Sequence, residues 1–229
     1  MQKHEFTFLG HEAIVIIPDN PNGKWIWKTE FFYAFDGAEQ ALLEEGYARV
    51  YFCVSDRYGS PAAVRLMHAF HKHVVEKFAL QNKAILFGFS RGGLYAFNYA
   101  LFYPEYVEKV YLDAPVMDMK SWPPKGSKEQ GQVFDEFSLN EQTLAAYKGN
   151  PVDNLEEYFS LNIPTLLIAG GKDSVVPLAE NGGKMMAFVE QKNKRSEQVD
   201  FSYIIKPECE HHPHSLTDVA PILKFVNKK

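Results

Sequence analysis

Apolar residues fall along this chain in short runs, separated by longer segments with helical spacing. Strand-like runs occupy residues 5–9, 13–17, 50–54, 84–87, 109–112, 165–169 and 201–205. Runs such as Ala84–Phe87 and Thr165–Ala169 show no polar alternation. That is the pattern of strands buried on both faces of a parallel sheet. Helical spacing covers about 31–45, 61–78, 92–102, 139–147, 181–190 and 216–226. Strand and helix alternate, so the predicted fold class is α/β, with a mostly parallel central sheet flanked by helices. One stretch, 115–161, begins "PVMDMKSWPPKGSKEQGQVF" and breaks this texture with prolines, glycines and little strand signal. It is too short for a second domain and reads as a short insertion over the carboxyl end of the sheet. The expectation is one domain over 1–229.

Composition narrows the function classes. A chain of 229 residues can bury a full-sized core. Its net charge of −5 and scattered basic residues give no nucleic-acid-binding surface. The start, "MQKHEFTFLGHEA", lacks the apolar stretch of a signal peptide, and no run is long enough to span a membrane. The expectation is a cytoplasmic protein without a membrane partner, a removed leader being left open. Cys53 and Cys209 make no disulfide framework.

The stretch "AILFGFSRGGLYAFNYAL" carries the first chemistry. Gly88-Phe89-Ser90-Arg91-Gly92 fits G-x-S-x-G, the elbow that exposes a nucleophilic serine between strand and helix. A random chain of this length shows the pattern roughly 5–10 % of the time, so the strand before it and the helix after it carry the discrimination. A serine hydroxyl needs a base, and the base an acid, in the chain order Ser, then Asp or Glu, then His. "TLLIAGGKDSVVP" places Asp173 beyond one strand, and "FSYIIKPECEHHPHSL" places His211, His212 and His214 beyond the last. Loops at those strand ends are where open α/β sheets hold their sites. Asp113, in "YLDAP", and Asp118 are the alternative acids. The oxyanion hole needs two backbone N–H groups. One is expected from Arg91; the other from the loop after 13–17, "PDNPNGKWIW", where Asn20 is the candidate.

The segments "GFSRGG", "GGKDSVVP" and "HHPHSL" resemble the α/β-hydrolase superfamily, and the resemblance runs from the first strands to the last helix. "GFSRGGLYA", "LDAPV", "SWP" and "HHPHSL" are similar to segments of a group of small bacterial hydrolase-like proteins. The resemblance implies the α/β-hydrolase fold and a serine hydrolase with no defined substrate. It favours His211 as the base by position, with His214 and His212 as alternatives. The sequence departs from the superfamily twice. Glu210 stands where a glycine usually precedes the histidine, and Pro18-Asp19 stands where a His-Gly pair is usual.

Other clusters have plainer readings. Cys209, His211, His212 and His214 are zinc-ligand types, but Pro213 interrupts them and no second cluster joins them, so no metal is expected. His68, His71 and His73 read as helix-surface residues. Phe31, Phe32 and Phe35 have helical spacing and read as core. Trp25 and Trp27 fall in the loop before that helix, and Trp122 falls in the insertion. All three are candidate substrate-binding residues at a pocket mouth, a plugging role being equally open. Asp56 and Arg57 are expected to pair with Arg91 or Asp118. The function expected is a serine esterase acting on a small-molecule ester through an acyl-enzyme, without a cofactor. A carbohydrate or small-acyl ester is the first choice, the sugar part resting on the tryptophans alone. A peptidase, thioesterase or acyltransferase would share the triad, and a non-catalytic binding protein on the same fold is the rival from another class. Oligomeric state is not readable from the sequence.

Overall fold

Short runs rich in β-branched and aromatic residues form strands here because helices cover both faces of the sheet they join. The computed structural model describes residues 1–228. Its strands are β1 (Gln2–Phe8), β2 (His11–Ile17), β3 (Trp25–Lys28), β4 (Ala48–Phe52), β5 (Ala84–Phe89), β6 (Val107–Asp113), β7 (Thr165–Gly170) and β8 (Phe201–Lys206). They form one sheet in the order β1-β2-β4-β3-β5-β6-β7-β8. β1 and β2 pair antiparallel, and so do β2 and β4. Every later pair is parallel. This is the mostly parallel, helix-flanked sheet of the α/β-hydrolase fold.

The main difference from the expected elements lies at 25–28. "WIWK" is not a loop but β3, seated between β4 and β5 with all four residues buried. Trp25 and Trp27 are 0 % exposed, and their rings stack at 5.7 Å. Trp25 Nε1 donates to the Gln81 carbonyl at 2.8 Å. Both indoles are core, so they cannot line a pocket mouth. The expected helix over 31–45 shortens to α1 (Gly37–Glu44). Phe31 and Phe35 have φ of 57° and 52°, which no helix accommodates. Both are 39 % exposed, and of the three phenylalanines only Phe32 packs in the core.

Helices α2 (Pro61–Phe78) and α3 (Gly92–Phe102) match the predicted spans. Ser60 caps α2 by accepting from the Ala63 N–H at 3.1 Å, and Pro61 sits in the first turn, where its missing N–H costs nothing. His71, expected on the surface of α2, is fully buried. Its Nε2–H donates to the Asn82 carbonyl at 2.8 Å, and its Nδ1 accepts from the Tyr99 hydroxyl at 2.9 Å. Both bonds suit the neutral ring, and burial pushes its pKa down to about 4. The unfolded chain, with histidine near 6.5, therefore takes the proton first. Stability should fall as pH drops from about 6.5 to about 4, by roughly 3 kcal/mol from this group. Urea unfolding at several pH values checks this: most of that fall should be missing in His71→Gln. An unchanged fall in the variant would contradict the assignment.

The stretch between β6 and β7 is more helical than its composition suggested. It holds α4 (Lys128–Phe137), α5 (Glu141–Ala146) and α6 (Leu155–Ser160), where only a helix over 139–147 was expected. α4 begins at Ser127, whose hydroxyl accepts from the Gln130 N–H at 3.1 Å. Its far end is tied to the loop after β4. Glu136 accepts from Arg57 Nε at 3.1 Å and from the Ser60 hydroxyl, and Gln132 accepts from the Tyr58 hydroxyl at 2.6 Å. This stretch thus packs on the loop that follows β4. Helices α7 (Gly182–Lys194) and α8 (Ala220–Asn227) complete the chain order. Among the described residues no helix is long and apolar enough to cross a membrane, and Cys53 and Cys209 are both free thiols.

Candidate active site

The site begins with the turn from β5 into α3. Ser90 stands at its apex with φ of 50°, a left-handed conformation that is costly for a non-glycine residue and frequent at functional sites. Its flanking glycines are required by close approach. A Cβ on Gly88 would lie 2.8 Å from the Ala96 Cβ and 2.9 Å from the Gly92 carbonyl. One on Gly92 would lie 2.9 Å from Thr29 Oγ1. The Ser90 N–H donates to the Asp113 carbonyl, and its own carbonyl accepts from Gly93 and Val116, all at 2.9 Å. The backbone is therefore held by the end of β6, the loop after it and the first turn of α3, and Oγ is left free to meet a side chain.

Ser90 Oγ meets His211 Nε2 at 2.9 Å, and His211 Nδ1 meets Asp173 Oδ2 at 2.7 Å. The other carboxylate oxygen of Asp173 accepts from the Val175 and Val176 N–H groups at 2.9 and 2.8 Å. All three side chains are buried. Burial alone would raise the Asp173 carboxyl, but hydrogen bonds from His211, Val176 and Val175 outweigh it and hold the pKa below its ordinary value. An ionised Asp173 fixes the imidazole with Nδ1 protonated and Nε2 free to take the serine proton.

The alternative acids and bases are engaged elsewhere. His214 Nδ1 pairs with Asp113 Oδ1 at 2.8 Å, and Asp113 Oδ2 accepts the Ser215 N–H at 2.8 Å and the Tyr111 hydroxyl. This second buried pair anchors the histidine loop to the end of β6. His212 is exposed and stacks on Phe35 at 5.5 Å with an interplanar angle of 15°. Asp118 pairs with Lys184 at 2.8 Å. Glu210 is accommodated where a glycine is usual because its side chain turns outward, accepting from the Ser174 hydroxyl at 3.1 Å.

Asn20 does not reach this place. β2 runs antiparallel to β4, so its carboxyl end lies beside the amino end of the parallel strands, opposite the serine. The Asn20 carbonyl instead packs against Gly46, in the turn before β4, where a Cβ would meet it at 2.7 Å. Asn20→Ala should leave kcat/KM within about twofold of wild type, as befits a surface change away from the site. A loss of tenfold or more in an ester assay would contradict that placement.

The loop after β3 lies against the serine turn instead. Thr29 N–H and Oγ1 donate to the Phe87 carbonyl at 3.0 and 3.2 Å, and Oγ1 also contacts the Gly92 carbonyl at 2.8 Å. Buried Glu30 accepts from Arg91 at 3.1 and 3.3 Å and from the Ser55 hydroxyl at 2.7 Å. Two buried cations pin the rest of the loop. Lys28 donates to the Ala34 carbonyl and pairs with Glu39 at 2.6 Å; Arg49 donates to the Phe32 carbonyl and pairs with Asp36, both at 3.1 Å. Among the described residues, the N–H groups of Arg91, Glu30 and Phe31 have no backbone acceptor. Arg91 caps the amino end of α3, where the helix field favours negative charge. The signal that marks this loop is the strand before it, which the sequence reading missed.

Of the remaining candidates, Trp122 is half-buried and packs 6.1 Å from the Tyr58 ring. Asp56 lies 3.6 Å from Arg91, as expected, whereas Arg57 pairs with Glu136 rather than with Asp118.

Comparison with known proteins matches this architecture. Residues 54–229 match the model of the prolyl oligopeptidase family. The chain is similar to the carboxylesterase Cest-2923 from Lactobacillus plantarum, at 18 % identity and a TM-score of 0.67, over 92 % of this chain and 85 % of that one. It is similar to a puromycin-hydrolyzing peptidase of Mycobacterium tuberculosis, at 13 % identity and a TM-score of 0.71, over 97 % of this chain but 37 % of that one. A Thermus thermophilus protein matches at 17 % identity and a TM-score of 0.59, over 98 % of this chain and 94 % of that one. No curated protein matches the sequence. At these identities the solved structures carry the fold, while the family model covers more than half of the chain. The chain belongs to the prolyl oligopeptidase family and, with it, to the serine hydrolases of the α/β-hydrolase fold.

Proposed function

We propose that the protein is an esterase that cleaves a small carboxylic ester through an acyl-enzyme on Ser90. The observation that carries the acyl-enzyme is the hydrogen-bonded series Ser90–His211–Asp173 at 2.9 and 2.7 Å. Ser90 Oγ attacks the ester carbonyl while His211 Nε2 takes its proton. Asp173 orients the ring and stabilises the imidazolium. Negative charge on the carbonyl oxygen is met by the Arg91 N–H and by an N–H from the Glu30–Phe31 loop. His211 then gives its proton to the departing alcohol. Water attacks the acyl-enzyme with His211 again as base, releasing the acid and restoring the serine.

Support for an ester comes from the carboxylesterase of similar extent, matched over 85 % of its own length. A carbohydrate ester is not part of the proposal, since it rested on exposed tryptophans, and Trp25 and Trp27 are core. A short peptide amide is the second reading, favoured by the family match itself. Purified protein assayed on p-nitrophenyl esters of increasing acyl length and on aminoacyl and dipeptidyl amides separates the two. The proposal expects a higher kcat/KM on at least one short-chain ester than on any amide; the reverse order would replace it with a peptidase.

A further inference from the structure

Three histidine rings crowd the mouth of the site, and the mechanism uses one of them. The ring centroids of His211, His212 and His214 lie 4.8–4.9 Å from one another. One ring nitrogen from each lies within 4.8 Å of those of the other two. Behind them stand two buried carboxylates: Asp173 holds Nδ1 of His211 at 2.7 Å, and Asp113 holds Nδ1 of His214 at 2.8 Å. A carboxylate on Nδ1 fixes the tautomer and leaves Nε2 as the ligating atom, which is the outer-shell arrangement of zinc-bound histidines. Two carboxylates behind three imidazoles also create a field that favours a cation.

We infer that His211, His212 and His214 form a binding site for a divalent transition metal, with zinc as the best-suited ion, and that its occupancy switches the hydrolase off. Zinc takes three imidazoles at about 2.0–2.1 Å and keeps a fourth position for water. Tetrahedral geometry then asks for roughly 3.3 Å between ligand nitrogens, so the rings must close in slightly. His212 is exposed, and among the described residues its ring is held by packing without a hydrogen bond, which makes it the ring that moves. His211 Nε2 cannot bind the metal and accept from Ser90 at once. The metal therefore withdraws the general base. No bond in substrate is made or broken by the ion, and its removal restores the base. Cys209 is not part of the site, since its thiol faces the carbonyls of His212 and Pro213 at 3.5 and 3.8 Å.

The inhibitory half of this inference rests on the proposed role of His211; the binding half does not. Zinc chloride is titrated into wild type, Ser90→Ala, His212→Ala and Cys209→Ser. Binding is followed by calorimetry and by competition with a chromophoric chelator, and ester turnover is followed in parallel. Wild type should bind one zinc per chain, lose turnover as it fills, and recover with EDTA. Ser90→Ala should bind at least as tightly, because no serine competes for Nε2. His212→Ala should keep metal-free turnover and need about 10–100-fold more zinc for both binding and inhibition, the usual scale for weakening such a site. Cys209→Ser should match wild type. Equal titrations of wild type and His212→Ala, or binding lost in Cys209→Ser instead, would overturn the site. Zinc binding that depends on His212 in a chain without ester turnover would defeat the esterase reading and leave the metal site standing.

Discussion

Ser90→Ala should lower kcat by on the order of 10⁶, the usual cost of removing the nucleophile from a unit that acts together. Thermal unfolding should stay within a few degrees of wild type. The serine hydroxyl makes one side-chain bond, to His211, while the turn itself is held by the Ser90 backbone and by the glycines at 88 and 92. Alanine keeps the left-handed φ at similar strain, so the elbow survives the change. Parallel kinetics on a short ester and differential scanning calorimetry check both halves. Turnover within tenfold of wild type would remove Ser90 from the reaction.

The second large effect is on stability. Trp27→Ala should destabilise the protein by about 3–5 kcal/mol, the range for emptying a buried aromatic site. Trp27 is 0 % exposed at the centre of the sheet. Its ring meets Tyr99 edge-on at 5.2 Å, Phe70 at 5.7 Å and Trp25 at 5.7 Å. Strand β3 is only four residues long, so neighbours have little else to close around. Urea unfolding measures the loss. A change below about 1 kcal/mol, accompanied by a raised KM, would instead return the indole to a substrate pocket.

Much of this architecture is written in local pattern. Buried parallel strands such as β5 and β7 are uninterrupted apolar runs, α2 has clear apolar spacing with a proline start, and α3 is apolar nearly all round with a glycine start. The serine turn and the two loops holding Asp173 and His211 follow from their place after those strands. What the sequence concealed has identifiable physical causes. β3 is short and ends in a lysine, and a buried Lys28 is legible only once its partner Glu39 is known to sit beside it. Missing β3 hid the loop that lies against the serine turn and put two core tryptophans at a pocket mouth. The aromatic spacing of 31–35 imitates a helix, yet the chain turns there through two left-handed phenylalanines, because Lys28 and Arg49 hold the loop's carbonyls. His211 and His214 differ by which carboxylate each pairs with, while the exposed His212 pairs with neither, and that is a property of three dimensions alone.

A covalent intermediate on Ser90 can be trapped by active-site labelling. Wild-type protein is treated with a fluorophosphonate, digested and mapped by mass spectrometry, with Ser90→Ala and His211→Ala alongside. One phosphonyl adduct per chain is expected, located on Ser90, absent in Ser90→Ala and formed far more slowly in His211→Ala. An unlabelled Ser90 in protein that still turns over an ester, or an adduct placed on another residue, would contradict it.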